Sequence, residues 1–163
     1  MKRTQHTEVR MNTYRPPNMC STASVVRKPE IRIMNVHEEM FARAFIIPEK
    51  RDRYVSLIGS VKGRKKILAG FHHIHDLDGR YAKLIPSNQQ SAESIFRILK
   101  QKGAPEMCYI MSYDSDIDQK EMPLREAISK VEGSNFGTLV SCIAGKLAYF
   151  ETEDMSGRYI LER

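Results

Sequence analysis

The sequence predicts an α+β fold in which N-terminal helices are followed by a β-α-β-α-β-β-β mixed sheet with helices packed on it. Three observations support this prediction. Apolar residues recur at helical spacing through residues 35–78, strand-like and helix-like segments alternate from 80 to 133, and the last 28 residues hold three β-rich runs. At 163 residues, one domain buries roughly 70% of its unfolded surface, so the core needs no disulfides.

The first residues differ in composition from the rest of the chain. Residues 1–32 contain three prolines, lack a sustained period and are rich in polar and basic side chains. We expect them to form a flexible basic tail. Residues 33–163 then form a single α+β domain, with a helical front over 33–78 and a sheet-containing part over 80–163.

Capping residues divide the helical front into three predicted helices. Asn35, with Glu38 three residues later, predicts a capping box at the first helix. Pro48 ends that helix or opens the next one, because proline lacks a backbone donor and is tolerated only in a first turn. Ser60 then caps a third helix, which we expect to extend through "VKGRKKILAGFHHIHDL".

The sheet-containing part begins with a short strand in "RYAKLIP", followed by a helix with a predicted capping box at Ser87 and Gln90. The segment "MCYIMSY" is apolar at most consecutive positions, which predicts a parallel strand buried on both faces. Pro123 opens the next helix. Gly145 and "DMSG" then mark the two turns that join the last three strands as an antiparallel meander.

Positive charge is concentrated in the first part of the chain. Residues 1–66 hold 15 Lys and Arg against 6 Asp and Glu, whereas residues 67–163 hold 11 against 14. The candidate anion-binding residues are Lys50, Arg51, Arg53, Lys62, Arg64, Lys65 and Lys66. They surround Ser60 at a predicted helix start and favour an anionic partner, such as nucleic acid, a phosphorylated ligand or an acidic protein. The simple alternative is a solvated basic face.

Three aspartates, Asp114, Asp116 and Asp118, directly follow the predicted parallel strand and precede a helix. Ligands usually bind at that edge of an open α/β sheet, so these side chains are candidate ligands for Mg²⁺ or Mn²⁺. An EF-hand is excluded, because Gln119 stands where the loop requires glycine and Arg125 where it requires glutamate. The simpler interpretation is a turn and helix start, for which no cofactor is expected.

The segment "FHHIHDLD" is the densest set of potential ligands. Its polar side chains are His72, His73, His75, Asp76 and Asp78. On a regular helix His73 faces away from His72 and His75, so the three imidazoles cannot hold one ion. An alternative function is a metal-dependent phosphoester hydrolase, with His72, His75 and Asp116 as candidate catalytic residues, if the third helix approaches the aspartates.

Other patterns exclude several classes of protein. Cys20, Cys108 and Cys142 are an odd number without metal-site spacing, which favours a reducing cytoplasm. No stretch approaches the ~20 apolar residues of a membrane span, and the Walker and nucleophile-elbow motifs are missing. Tyr54 is the one aromatic residue within the basic cluster, which is poor for base stacking.

The sequence therefore predicts a small soluble cytosolic binding or regulatory module that contacts an anionic partner through a basic helical face. A third class, a protein-interaction subunit of a larger assembly, predicts an exposed apolar patch on the front helices.

Overall fold

The computed structural model describes residues 32–134, 136–152 and 157–163 of the chain. The helices of these residues are α1 (Val36–Phe45), α2 (Arg51–Ile58), α3 (Val61–Ala69), α4 (Ala92–Gln101) and α5 (Leu124–Val131). The strands are β1 (Ala82–Leu84), β2 (Met107–Ser112), β3 (Glu121–Pro123), β4 (Thr138–Ile143), β5 (Leu147–Glu151) and β6 (Arg158–Glu162). Short 3-10 turns occupy Pro48–Lys50, Gly70–His73 and Ser87–Gln89.

The strands form one sheet in the order β1-β6-β5-β4-β2-β3, and all neighbours among the described strands are antiparallel. The α+β class, with helices first and the sheet after them, is confirmed. The prediction of a parallel strand at 107–113 is wrong. The chain turns back after β2 as a hairpin, in which the Ile110 N–H donates to the Lys120 carbonyl and the Gln119 N–H donates to the Ile110 carbonyl, both at 3.0 Å.

Two helical layers cover the two faces of the sheet. The front layer consists of α1, α2 and α3, and the back layer consists of α4 and α5. The front core includes Phe41, Phe45, Ile67, Leu68, Tyr109, Met111, Leu139 and Phe150. The back core includes Ile95, Leu99, Ile110, Ala127, Ile128, Val140, Cys142 and Tyr149. Strand β2 contributes alternate residues to both cores, which confirms that it is buried on both faces.

The start of α1 departs from the predicted capping box. The Asn35 side chain accepts a hydrogen bond from the His37 N–H at 2.9 Å and caps the helix as expected. Glu38 does not return to the cap. Its carboxylate is fully buried and accepts hydrogen bonds from Arg64 and Tyr109, at 2.8 Å in each case.

Helix α3 begins as predicted, because the Ser60 hydroxyl accepts from the Gly63 N–H at 3.1 Å, but it ends at Ala69. The predicted extension to Leu77 is wrong. Segment 74–78 is extended and pairs with the end of α1, where the Asp78 N–H donates to the Phe45 carbonyl at 2.8 Å. His75 therefore lies outside any helix, and the helical geometry used to group the histidines does not apply.

The remaining turns follow the sequence with one exception. Helix α4 is capped by Ser91, which accepts from the Ser94 N–H at 3.3 Å, and not by Ser87. Gly103 has φ +86° after α4 and Gly145 has φ +68° between β4 and β5, a conformation in which glycine carries no steric cost. The predicted "DMSG" turn begins within 153–156, outside the described residues.

The predicted tail over 1–32 also lies outside the described residues, except for Arg32. The Arg32 N–H donates to the Gly59 carbonyl at 3.2 Å, which joins this residue to the end of α2. No helix in the described part of the chain is both long and apolar enough to cross a membrane.

Candidate anion-binding site

The front layer brings the predicted anion-binding residues together but neutralises three of them. The Lys50 ammonium lies 2.5 Å from the Asp76 carboxylate. Arg51 donates from Nε to the Ile46 carbonyl at 2.8 Å, and its guanidinium lies 3.6 Å from Asp78. These two cations hold segment 74–78 against the end of α1 and the start of α2.

Arg64, the third neutralised cation, is buried beneath α3. Its Nε donates to Glu38 at 2.8 Å, and its two terminal nitrogens donate to the two Asp118 oxygens at 2.6 and 2.7 Å. The Arg32 guanidinium also pairs with Glu38. Burial opposes the charged form of Arg64, but the hydrogen bonds and charges of both carboxylates outweigh it and raise its pKa. Arg64 is therefore a permanently charged internal link between α1, α3 and the β2–β3 loop, and not an exposed ligand.

The other four predicted cations form what we call the cationic surface: Arg53, Lys62, Lys65 and Lys66. All four side chains are exposed. Among the residues that the structure describes, none of the four has a carboxylate within ion-pair distance. Lys62, Lys65 and Lys66 lie on the outer side of α3, since Ile67 and Leu68 on its other side pack in the front core.

Recesses flank α3 on both sides. On one side, the α2–α3 cleft has a volume of about 300 Å³ and is lined by Lys50, Arg53, Tyr54, Leu57, Lys66, Ile67, Gly70 and Asp76. Burial disfavours the charged form of Asp76, but hydrogen bonds from Lys50 and Tyr54 prevail and lower its pKa. Since Lys50 compensates Asp76, the cleft retains the positive charge of Arg53 and Lys66.

On the other side of α3 lies a larger recess, which we call the α3–hairpin cavity, with a volume of about 550 Å³. The helical side contributes Arg32, Val61, Arg64, Lys65 and Leu68, and the β2–β3 side contributes Ser112, Tyr113, Ser115, Asp118 and Gln119. The Arg64–Asp118 pair lies where the two sides meet. Lys65 is the cation of the cationic surface that borders this cavity.

The three candidate metal ligands lie in the β2–β3 hairpin loop, and not in the predicted strand-to-helix loop. Asp118 is engaged by Arg64 and also accepts the Ser112 N–H at 3.0 Å. The Asp114 carboxylate accepts the Asp116 N–H at 2.9 Å, and Asp116 itself is exposed. Within the described residues, no group of three His, Cys, Asp or Glu side chains has an arrangement that could hold a metal ion.

The described structure places the candidate catalytic residues on separate segments. His75 is exposed on the extended segment after α3. His72 lies in the 3-10 turn Gly70–His73, and its side chain is outside the described part of the structure. The metal-dependent hydrolase with Asp116 therefore stays an untested prediction.

Sequence reasoning missed two polar features of the front layer. Glu38 lies three residues before Phe41 and seven before Phe45, on the same inward face of α1. The helical period could therefore have predicted that Glu38 is buried. A hydrogen bond of 2.8 Å joins the Nδ1 atom of His37 to the Ser141 hydroxyl. Burial lowers the pKa of His37, opposed in part by the charge of Glu121. No local pattern indicates this second pair, which joins residues 104 positions apart.

Comparisons of the sequence and of the fold with known proteins found no match to a protein-family model, a curated protein or a solved structure.

Proposed function

We propose that this protein is a binding module that holds a phosphate-bearing anionic partner on the cationic surface of α2 and α3. One observation carries the proposal: Arg53, Lys62, Lys65 and Lys66 are gathered on one exposed surface with no described carboxylate to pair with them. Uncompensated, closely spaced cations raise the local concentration of polyanions and gain affinity by releasing their counterions.

The arrangement suits an extended anion better than a single one. Lys62, Lys65 and Lys66 occupy positions i, i+3 and i+4 of one helix, so their ammonium groups share a side of α3. Arg53 extends this charge to α2 through the α2–α3 cleft. Successive phosphates could therefore each meet a cation along the surface.

Cys108 and Cys142 are both free thiols, which supports the predicted cytoplasmic location.

The test compares two neutralised variants that lose the same charge. One carries Lys62→Gln, Lys65→Gln and Lys66→Gln, and the other carries Arg97→Gln, Lys130→Gln and Lys146→Gln, all exposed residues away from α3. Binding of the full chain to labelled inorganic polyphosphate is measured over a series of salt concentrations. Both variants retain residues 1–31, so any contribution from those residues is the same in each.

We expect the α3 variant to lose on the order of tenfold in affinity and its log–log salt slope to fall by about 2, because each lost phosphate contact removes roughly 0.7 to 0.9 from the slope. The control variant should bind as the unmodified chain does, apart from a small uniform effect of net charge. Equal losses in the two variants would show that binding follows net charge alone and would contradict the proposal.

A further inference from the structure

We propose that the anionic partner is a single-stranded nucleic acid, whose phosphates lie on the cationic surface and whose bases stack on Tyr113 and Phe136. This inference rests on the proposed function and names the partner class. The sequence offered only Tyr54 within the basic cluster. The fold brings two further aromatic side chains to the edge of the same region.

Tyr113 and Phe136 are exposed although both are large. Tyr113 is 53% exposed and Phe136 is 39% exposed, and their ring centroids lie 6.4 Å apart with an interplanar angle of 31°. They come from the residues directly after β2 and shortly before β4. The pairing of Ser112 with Thr138, whose hydroxyls lie 2.8 Å apart, holds the two segments side by side.

Tyr113 connects the aromatic pair to the cationic surface through the α3–hairpin cavity. Tyr113 and Lys65 line the same cavity, whose volume of about 550 Å³ is in the range of small-ligand sites. The cavity walls also offer the polar side chains of Ser115 and Gln119. We infer that a strand whose base stacks on Tyr113 passes Lys65 along this cavity and meets Lys62 and Lys66 on the outer side of α3.

This combination favours nucleic acid over an acidic protein. Aromatic faces carry partial negative charge, so they attract cations and π systems and do not attract carboxylates. Aromatic stacking platforms beside a basic groove are the means by which proteins bind single strands without reading their sequence. A single strand is required, because the bases of a duplex are already stacked on each other and present only their edges.

The experiment measures binding of the full chain to three probes: a labelled oligothymidine of about 12 nucleotides, its duplex with oligoadenine, and inorganic polyphosphate. The test variant is Tyr113→Ala with Phe136→Ala. The matched control is Leu84→Ala with Met107→Ala, two apolar residues that are also exposed but lie on β1 and at the start of β2. Thermal unfolding of both variants establishes that each is folded.

We expect the aromatic variant to bind the single strand at least tenfold more weakly and polyphosphate as well as the unmodified chain does, because loss of base stacking weakens binding about five- to more than a hundredfold per base. The control should bind all probes normally. Single-strand affinity that survives the aromatic substitutions, or a duplex that binds as tightly as the single strand, would overturn the inference.

A tryptophan variant gives a second readout that does not depend on removing side chains. The chain contains no tryptophan, so Tyr113→Trp introduces a single indole whose fluorescence reports stacking. Oligothymidine should quench it and polyphosphate should not. Unchanged emission at saturating oligothymidine would refute stacking at Tyr113.

The two proposals fail in different ways. If polyphosphate binding depends on the α3 lysines but oligothymidine gains nothing from the aromatic pair, the partner class is wrong and the anion site stands. If polyphosphate binding does not depend on those lysines, the proposed function itself is wrong. Aromatic-dependent binding to phosphatidylcholine vesicles containing phosphatidylserine, without such dependence for oligothymidine, would overturn the nucleic-acid inference in favour of a membrane surface.

Discussion

The front and back layers of this protein cover the same sheet but use charge in opposite ways. Every buried residue of α4 and α5 is apolar, whereas α1 buries Glu38 and α3 buries Arg64. On the outside the contrast is reversed. Each Lys and Arg of α4 and α5 has a carboxylate partner, at 2.5 Å for Arg125 with Glu93 and at longer distances for the others. The outer cations of α2 and α3 have none within the described residues.

This difference teaches what each layer contributes. Exposed ion pairs such as those of the back layer add little stability, typically 0 to about 1 kcal/mol. They compensate most of the positive charge that a partner could meet there, although Arg97 and Arg125 share Glu93. On α2 and α3 the outer cations have no partner within the described residues, whereas Glu38 of α1 and Asp118 of the β2–β3 loop hold the buried Arg64. That internal link fixes α3 against the β2–β3 loop and so sets the shape of the α3–hairpin cavity.

The largest effect should come from breaking the internal link. Arg64→Ala leaves two carboxylates without their main partner, one of them fully buried, which should lower the free energy of unfolding by about 3–5 kcal/mol. Two exposed residues serve as controls in urea unfolding. Lys65→Ala should cost less than about 0.5 kcal/mol and Arg125→Ala less than about 1 kcal/mol. If Arg64→Ala lowered the free energy of unfolding no more than Arg125→Ala does, the ion pairs of the two layers would not differ in their contribution to stability.

A smaller effect tests how tightly α3 packs on α2. A Cβ atom at Gly63 would lie 2.3 Å from the Leu57 carbonyl oxygen, so Gly63→Ala should destabilise the protein by about 1–3 kcal/mol. Helix propensity alone predicts the opposite sign, a gain of up to about 1 kcal/mol. Gly70→Ala is the matched control, because nothing lies within 4 Å of a Cβ atom there. A Gly63→Ala protein as stable as the Gly70→Ala protein in thermal unfolding would show a looser contact.

The smallest effect concerns acid stability of the front layer. The Arg80 guanidinium, which donates to Asp78 at 2.6 and 2.9 Å, lowers the pKa of Asp78 from 3.8 to about 2. Because the folded-state pKa is depressed, the contribution to stability is present above about pH 4 and is lost as the pH falls towards 2. Asp78→Asn should therefore flatten the pH dependence of the urea midpoint in this window.

The control for that measurement is Asp116→Asn, which changes an exposed carboxylate that has no ion pair to a described residue. It should leave the pH dependence as it is in the unmodified chain. Identical profiles for the two variants would mean that Asp78 does not contribute to acid stability.

Local sequence signals predicted the local structure well where one short segment contains all the interacting groups. Asn35 and Ser60 cap their helices through N–H groups two and three residues away, and Gly145 closes the turn between adjacent strands. The apolar run of β2 also revealed its burial on both faces. The same kind of reasoning failed for the end of α3, where segment 74–78 bonds to the end of α1. It also failed for the start of α4, where the Gln90 side chain donates to the Ile85 carbonyl and the Gln90 carbonyl accepts from the distant Arg158.

The sequence by itself determined the α+β class, most of the helices and strands and the concentration of positive charge near Ser60, because these depend on composition and on interactions within a few residues. It did not predict β3, which forms through its hairpin with β2. Only the tertiary structure decided that Arg64 is internal, that Asp118 is its partner and that Tyr113 lies beside Phe136. Each of those relations joins residues 23 to 54 positions apart. Such contacts depend on which strands pair and in which direction, and local periodicity contains no information about that choice.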